Sequence, residues 1–356
     1  MGTMHQRETF FVGGSYVKGD DGNHTLHGQM YAEHLSPSGG STKPFPLVFI
    51  HGATRSGNDW LTKPDGQPGW ASFFLSRGYD VYLIDQPFRG RSAWPPSHGT
   101  TLVGWGAEQM ARVFTAPKAY ESWPEAALHT QWPGAGVMGD PVFDQFFASG
   151  LQMVSDPALQ ERATQAAGAA LLDRIQRPVI LIGHSQGGSA PLLIADARSS
   201  LVRMAVNLEP VGPPFSKAPI VKKGPNASYG VTFAPMTYDP PVTDPEKDFV
   251  VAELKADRPW RMDCLWQAEM PAPRQLINLK NIPVLIVTAQ ASYHAPYDWA
   301  IARFLQQAGV EAQHLELAEV GLFGNGHMMF LEKNSDEIAV ALERRIDEML
   351  TNKASE

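Results

Sequence analysis

The sequence predicts an α/β fold: a mostly parallel central sheet of about eight strands, with helices on both faces and two long lid insertions. Three observations carry this. Short apolar, β-branched runs bounded by Gly, Pro or Asp recur along the chain. Stretches of helical spacing lie between them. At 356 residues and 43% hydrophobic, the chain can bury one large core.

Phe10 to Val17 and Leu26 to Leu35 alternate as an antiparallel starting ribbon. Pro46 to Gly52 reads as a buried strand running into a glycine turn. Asp80 to Asp85, Pro178 to Gly183, Leu201 to Leu208, Pro283 to Thr288 and Glu311 to Leu317 follow as strands. Ile338 to Leu350 closes the chain as an amphipathic helix. Two stretches break this rhythm. Ser92 to Ile175 is rich in Trp, Pro and Gly, then turns helical over Phe143 to Val154 and Pro157 to Ile175. Val211 to Lys280 is dense in proline. Connections of this length are usually functional lids. Their aromatics (Trp94, Trp105, Trp123, Trp132, Tyr229, Trp260, Trp266) favour a roof over an apolar pocket. The expected division is 1–91 for the first part of the core, 92–175 for a lid, 176–210 for the core segment bearing the nucleophile, 211–280 for a second lid and 281–356 for the rest of the core.

A net charge of -8 leaves no electrostatic footprint for nucleic acid or anionic membrane, and the doublet Lys222-Lys223 is too short to make one. Cys264 is the single cysteine, which excludes an intrachain disulfide or a cysteine metal cluster and suggests a half-buried structural thiol. The first residues show no basic flank followed by an apolar run, so the expectation is a soluble, cytoplasmic protein.

The segment Gly183-His184-Ser185-Gln186-Gly187 follows a buried β run and precedes a helix read as amphipathic. That context turns a weak G-x-S-x-G match into a strong one. The serine must sit on a tight strand-to-helix turn where neighbouring side chains would clash, and Gly183, Gly187 and Gly188 relieve the crowding. Such a turn lifts the Ser185 hydroxyl above the sheet and aims a helix N-terminus at developing negative charge. Ser185 is the candidate nucleophile.

In the order strand, His51-Gly52 turn, strand, Asp85-to-Ser92 turn, strand and elbow, nearly the whole chain resembles the α/β-hydrolase superfamily. The resemblance implies an oxyanion hole of two backbone N–H groups, from Gln186 and from Ala53, with Thr54 the near alternative. His51 orders that loop. The resemblance also places the base after the last strand, where Gly324-Asn325-Gly326-His327 makes His327 the candidate, its glycines giving the loop freedom to swing the imidazole. His294 is the challenger, read as a pocket or helix-cap residue, while His98, His129 and His314 look ordinary.

Most superfamily members carry an Asp just after the strand matching Pro283 to Thr288; here Ser292 stands there and cannot hold an imidazolium by charge. Glu209, at the tip of Leu201 to Leu208, reaches the same sheet edge one strand over and is the candidate acid. Asp298 competes from a turn into a helix. The Gly52 to Trp94 region, the elbow, Asn207-Leu208-Glu209-Pro210 and Gly324 to Ser335 together resemble a bacterial and fungal esterase group with a Ser–His–Glu triad, its Glu after the sixth strand. That resemblance implies a homodimer with lids over the site. This chain departs from the group's type member at Ala53-Thr54, where that member has paired cysteines.

The expected function is hydrolysis of a small to medium, apolar or aromatic carboxylic ester, with no metal or organic cofactor. Thr54, Trp94 and His294 are expected in the substrate pocket. A lactone, or a C–C bond beside a carbonyl, suits the same machinery, and a ligand-binding protein without catalysis is the rival class.

Overall fold

A computed structural model describes residues 3–96, 99–221 and 224–352. His98 and the Lys222-Lys223 doublet fall outside them. The central sheet has eight strands: β1 (His5–Lys18), β2 (His24–Pro37), β3 (Leu47–Ile50), β4 (Val81–Asp85), β5 (Val179–His184), β6 (Val202–Leu208), β7 (Val284–Thr288) and β8 (Ala312–Glu316). Their order is β1-β2-β4-β3-β5-β6-β7-β8. β1 and β2 pair antiparallel, as does β2 with β4, and every other pairing is parallel. β3 to β7 are almost wholly buried, which explains their continuous rather than alternating apolar runs.

Each face of the sheet carries its own core. On one face, α1 (Trp70–Ser76) packs against α6 (Ser335–Asn352), and Trp60, Trp70, Phe74 and Phe330 form an aromatic cluster with Phe49 of β3. On the other, α3 (Pro157–Ile175) lies on β1, β2 and α4 (Ala190–Ala197). The helix after the elbow is not amphipathic: Ala190 to Asp196 are all buried, so α4 is enclosed between sheet and α3. α5 (Asp298–Gln307) packs on β7 and β8.

The helix expected over Phe143 to Val154 is shorter. α2 spans Pro141–Ala148, started by Pro141 and the Asp140 side chain accepting from Val142 N. It stops because Gly150 N turns back to Phe147 O and Leu151 N is taken by Thr54 O; Met153–Val154 then form a two-residue strand. α1 is a helix that the periodicity did not announce, its seven residues dominated by aromatics. Cys264 is buried rather than half-buried, with Sγ against Met262 O.

Candidate active site

Parallel strands β3, β5, β6, β7 and β8 end at one edge of the sheet, and the candidate residues follow those ends. β5 runs straight into the elbow. Ser185 has φ 55, a left-handed backbone that a serine adopts only when the surroundings impose it. The glycines make this possible: a Cβ on Gly183 would lie 2.2 Å from Gly187 O, and one on Gly187 would lie 2.2 Å from His51 O. The oxyanion loop closes down from β3, and a Cβ on Gly52 would lie 3.0 Å from the Ser185 Cβ. Among the described residues, neither Ala53 N nor Gln186 N is taken by another acceptor.

No disulfide is needed to fix this loop. The buried Arg89 donates to Gly52 O at 2.7 Å and to the Gln186 side chain at 2.9 Å, joining the two arms of the expected oxyanion hole. Burial brings its pKa down to about 9, so it stays cationic at neutral pH. His51 accepts from Gln86 N through Nε2 and contacts Gly52 O through Nδ1, and burial depresses its pKa to about 3. Arg55 pins the far side, donating to both Asp59 oxygens, to Phe146 O and to Ser149 Oγ. None of Arg89, Arg55 or Asp59 stood out in the sequence; the arginine in Gln86-Pro87-Phe88-Arg89-Gly90 was the available signal.

His327 is fully buried. Its Nδ1 lies 2.5 Å from Glu209 Oε2. Glu209 projects from the end of β6 with φ 46, a second strained non-glycine residue, and its carboxylate also accepts from Ala289 N at 2.8 Å and Ser292 Oγ at 2.6 Å. Burial pushes the Glu209 carboxyl upward from its ordinary value, while those donors pull toward the ionised form. Burial drives the His327 imidazole well below its ordinary range, with His184 and His294 adding repulsion; the neutral base is favoured.

The base loop is held, not free to swing. Glu332 accepts from Gly326 N and from Asn325 Nδ2, and His129 Nε2 sits 2.7 Å from the same carboxylate. His129, read as ordinary, is thus a buried prop beneath this loop. His184 donates from Nε2 to His327 O, tying elbow to base. Phe114 and His294 stack on the His327 ring.

Asp298 does not reach His327. It opens α5, accepts from Thr288 Oγ1 and lies 2.9 Å from Nδ1 of His294. Two histidine–carboxylate pairs therefore stand side by side, with the imidazoles nearly parallel and 4.9 Å apart. Among the described residues no direct hydrogen bond joins Ser185 to His327. The Tyr293 hydroxyl interacts with both, lying 3.4 Å from His327 Nε2. Glu209, His294 and His327 also offer ligand atoms within 4.8 Å of one another, the grouping that could hold a metal ion among the described residues. The Glu209 oxygens and both Nδ1 atoms already have protein partners: Ala289 N, Ser292 Oγ and His327 Nδ1 for Glu209, and Asp298 for His294 Nδ1.

A cavity of about 170 Å³ opens on Ser185, Ala53, Gln186 and His294, with Trp105, Val221 and Phe233 on its apolar wall. Of the expected pocket residues, His294 lines it. Thr54 does not: it is buried, with its hydroxyl turned to Ala53 O. Trp94 does not either, since its indole N–H is bonded to Thr100 Oγ1. Trp105 takes the place expected of Trp94, and Trp123 packs on Tyr293 behind the wall.

A doubly wound sheet with a strained serine after the fifth strand defines a hydrolase of one superfamily. The chain belongs to the α/β hydrolase family, whose model matches residues 47–341. It is 44% identical over 331 residues to a protein named "Probable secreted lipase phiG" from Fungal sp. (strain ATCC 74256), covering 93% of this chain and 86% of that one. A solved structure described as a novel bacterial esterase matches 98% of this chain and 97% of its own with a TM-score of 0.63 at 22% identity, a likeness of fold. The name of the fungal relative overturns the expectation of a cytoplasmic protein, which rested only on the first residues. Among the described residues, no helix is long and apolar enough to cross a membrane.

Proposed function

We propose that this protein hydrolyses carboxylic esters through an acyl-enzyme on Ser185. The observation that carries the reading is the buried hydrogen bond from His327 to Glu209 beside a serine held at φ 55 over an open cavity. Ser185 Oγ attacks the ester carbonyl as His327 Nε2 takes its proton. The oxyanion rests against the N–H groups of Ala53 and Gln186, and Glu209 stabilises the imidazolium. His327 then protonates the departing alkoxide. A water, deprotonated by the same imidazole, attacks the acyl carbon, and collapse of the second tetrahedral intermediate releases the acid and restores Ser185.

The small cavity and its Trp105, Val221 and Phe233 wall favour a small to medium apolar or aromatic group. The kinship with a probable secreted lipase supports action outside the cell. The reading includes a homodimer, for which edge strand β1 offers exposed Phe11 and Tyr16; light scattering behind size exclusion checks it.

A fluorophosphonate probe with mass spectrometry tests the core of this reading. It predicts an adduct on Ser185, none in Ser185→Ala, and 4-nitrophenyl butyrate turnover at least about 1000-fold lower in that variant. A wild type that neither labels nor cleaves short esters would instead be a binding protein.

A further inference from the structure

The cavity beside Ser185 is not apolar throughout. Tyr297 lines it, fully buried, and its hydroxyl has no hydrogen-bond partner. Tyr297 caps the start of α5 and packs on the His294 ring, 4.9 Å between centroids. Burial and the nearby carboxylates Asp298 and Glu209 hold its pKa well above the usual phenol value, so the group is a permanent O–H donor. His294 adds a second polar atom to this wall. Its Nδ1 is engaged by Asp298, which leaves Nε2 as the ring nitrogen available to an occupant of the cavity. Val211, Val221 and Phe233 are apolar members of the same lining, which also includes Ser216 and Lys217; Lys217 Nζ already donates to Gly224 O.

A buried hydroxyl without a partner is costly, and native proteins seldom leave one so unless something else fills the position. Water would satisfy such a hydroxyl generally; because Tyr297 is among the residues that line the substrate cavity, a substrate group seated there can take the same role. A site built to pair a polar group rejects an analogue that lacks it far more strongly than an apolar pocket rejects a missing methylene.

We propose that the Tyr297 hydroxyl forms a donor subsite for an oxygen acceptor carried by the substrate group that occupies this cavity. The preferred substrates are then esters bearing a ketone or comparable oxygen function away from the scissile carbonyl, in place of plain alkyl esters. This rests on the ester-hydrolase reading, and names the substrate class of that same site.

The test compares kcat/KM for matched esters, each corrected for its rate with hydroxide. On the acyl side these are 4-nitrophenyl hexanoate against 4-oxopentanoate and 5-oxohexanoate. On the alcohol side they are pentyl acetate against 4-oxopentyl acetate. The expected result is a preference of about tenfold or more for an oxo ester in at least one pair, falling to near unity in Tyr297→Phe. No oxo preference in either pair with wild-type enzyme overturns the subsite, and so does a preference that Tyr297→Phe leaves intact. Because the wild-type ratio alone can refute it, a poorly folded variant does not protect the proposal. Equal cleavage of plain and oxo esters by a Ser185-dependent enzyme sinks the subsite alone; failure to cleave any ester sinks the hydrolase reading with it.

Discussion

His327 and Glu209 meet through one hydrogen bond, 2.5 Å from Nδ1 to Oε2, although they come from loops 118 residues apart. The position one strand over, where an Asp is usual in this superfamily, is filled by Ser292, which donates to that same Glu209. The serine therefore does not replace the proposed acid; it bonds to Glu209 from the conventional side.

Removing that donor separates support from charge. Ser292→Ala leaves a buried carboxylate short of one hydrogen bond, worth about 1.5–3 kcal/mol for a charged acceptor. We expect kcat to fall roughly 10- to 100-fold with KM little changed. A rate matching wild type would show that Ser292 is a bystander.

The pH dependence has a defined sign. Burial lowers the His327 pKa from its ordinary value of 6.5, so the base stays unprotonated as pH falls through that value. The kcat/KM profile should remain flat from pH 7.5 down to 6.5 and decline only below. An acid limb centred at or above pH 7 contradicts this environment.

Arg89 joins the two arms of the proposed oxyanion hole through Gly52 O and Gln186. Arg89→Met removes both bonds and the buried charge while keeping much of the volume. A loosened oxyanion donor costs up to about 100- to 1000-fold. We expect a loss of roughly 10- to 100-fold, mainly in kcat, with the fluorophosphonate adduct still forming on Ser185. A loss confined to KM would place Arg89 in ground-state binding instead.

Glu161 links pH to stability. On α3, its Oε2 accepts from Phe233 N and Ala234 N in the proline-rich segment, and burial raises its pKa from 4.5 to about 8. The folded state keeps the proton longer than the unfolded chain, so its contribution is full below about pH 4.5 and is lost as pH rises through 8. Glu161→Gln retains an oxygen for both N–H groups and cannot ionise. The wild-type-minus-variant difference in Tm should therefore decline between pH 5 and 8, by the equivalent of a few kcal/mol. A difference independent of pH would contradict the raised pKa.

The sheet was legible because its strands are either continuous apolar runs or clean alternations, and the elbow because only glycine tolerates the approaches at positions 183 and 187. Glu209 stood out as the candidate acid because Ser292 leaves the position usual in the superfamily without a charge, and its hydrogen bond to His327 fits that proposal. What lay beyond reading depends on which distant loops pack together. The support of Glu209 by Ser292, the prop of His129 and Glu332 under the base loop, and the Arg89 clamp all join segments far apart in the chain. Trp94 and Trp105 both lie in the first insertion, and only its packing decides which one faces the cavity.

The central claim, that Glu209 and not Asp298 serves His327, is tested most directly by kcat for ester hydrolysis in Glu209→Gln and Asp298→Asn, with folding checked by circular dichroism. Replacing the acid of such a triad by its amide costs about 10⁴-fold. The account predicts a loss of roughly 10³- to 10⁴-fold in Glu209→Gln and less than about tenfold in Asp298→Asn. Near-normal turnover in Glu209→Gln, with the large loss in Asp298→Asn, would contradict it.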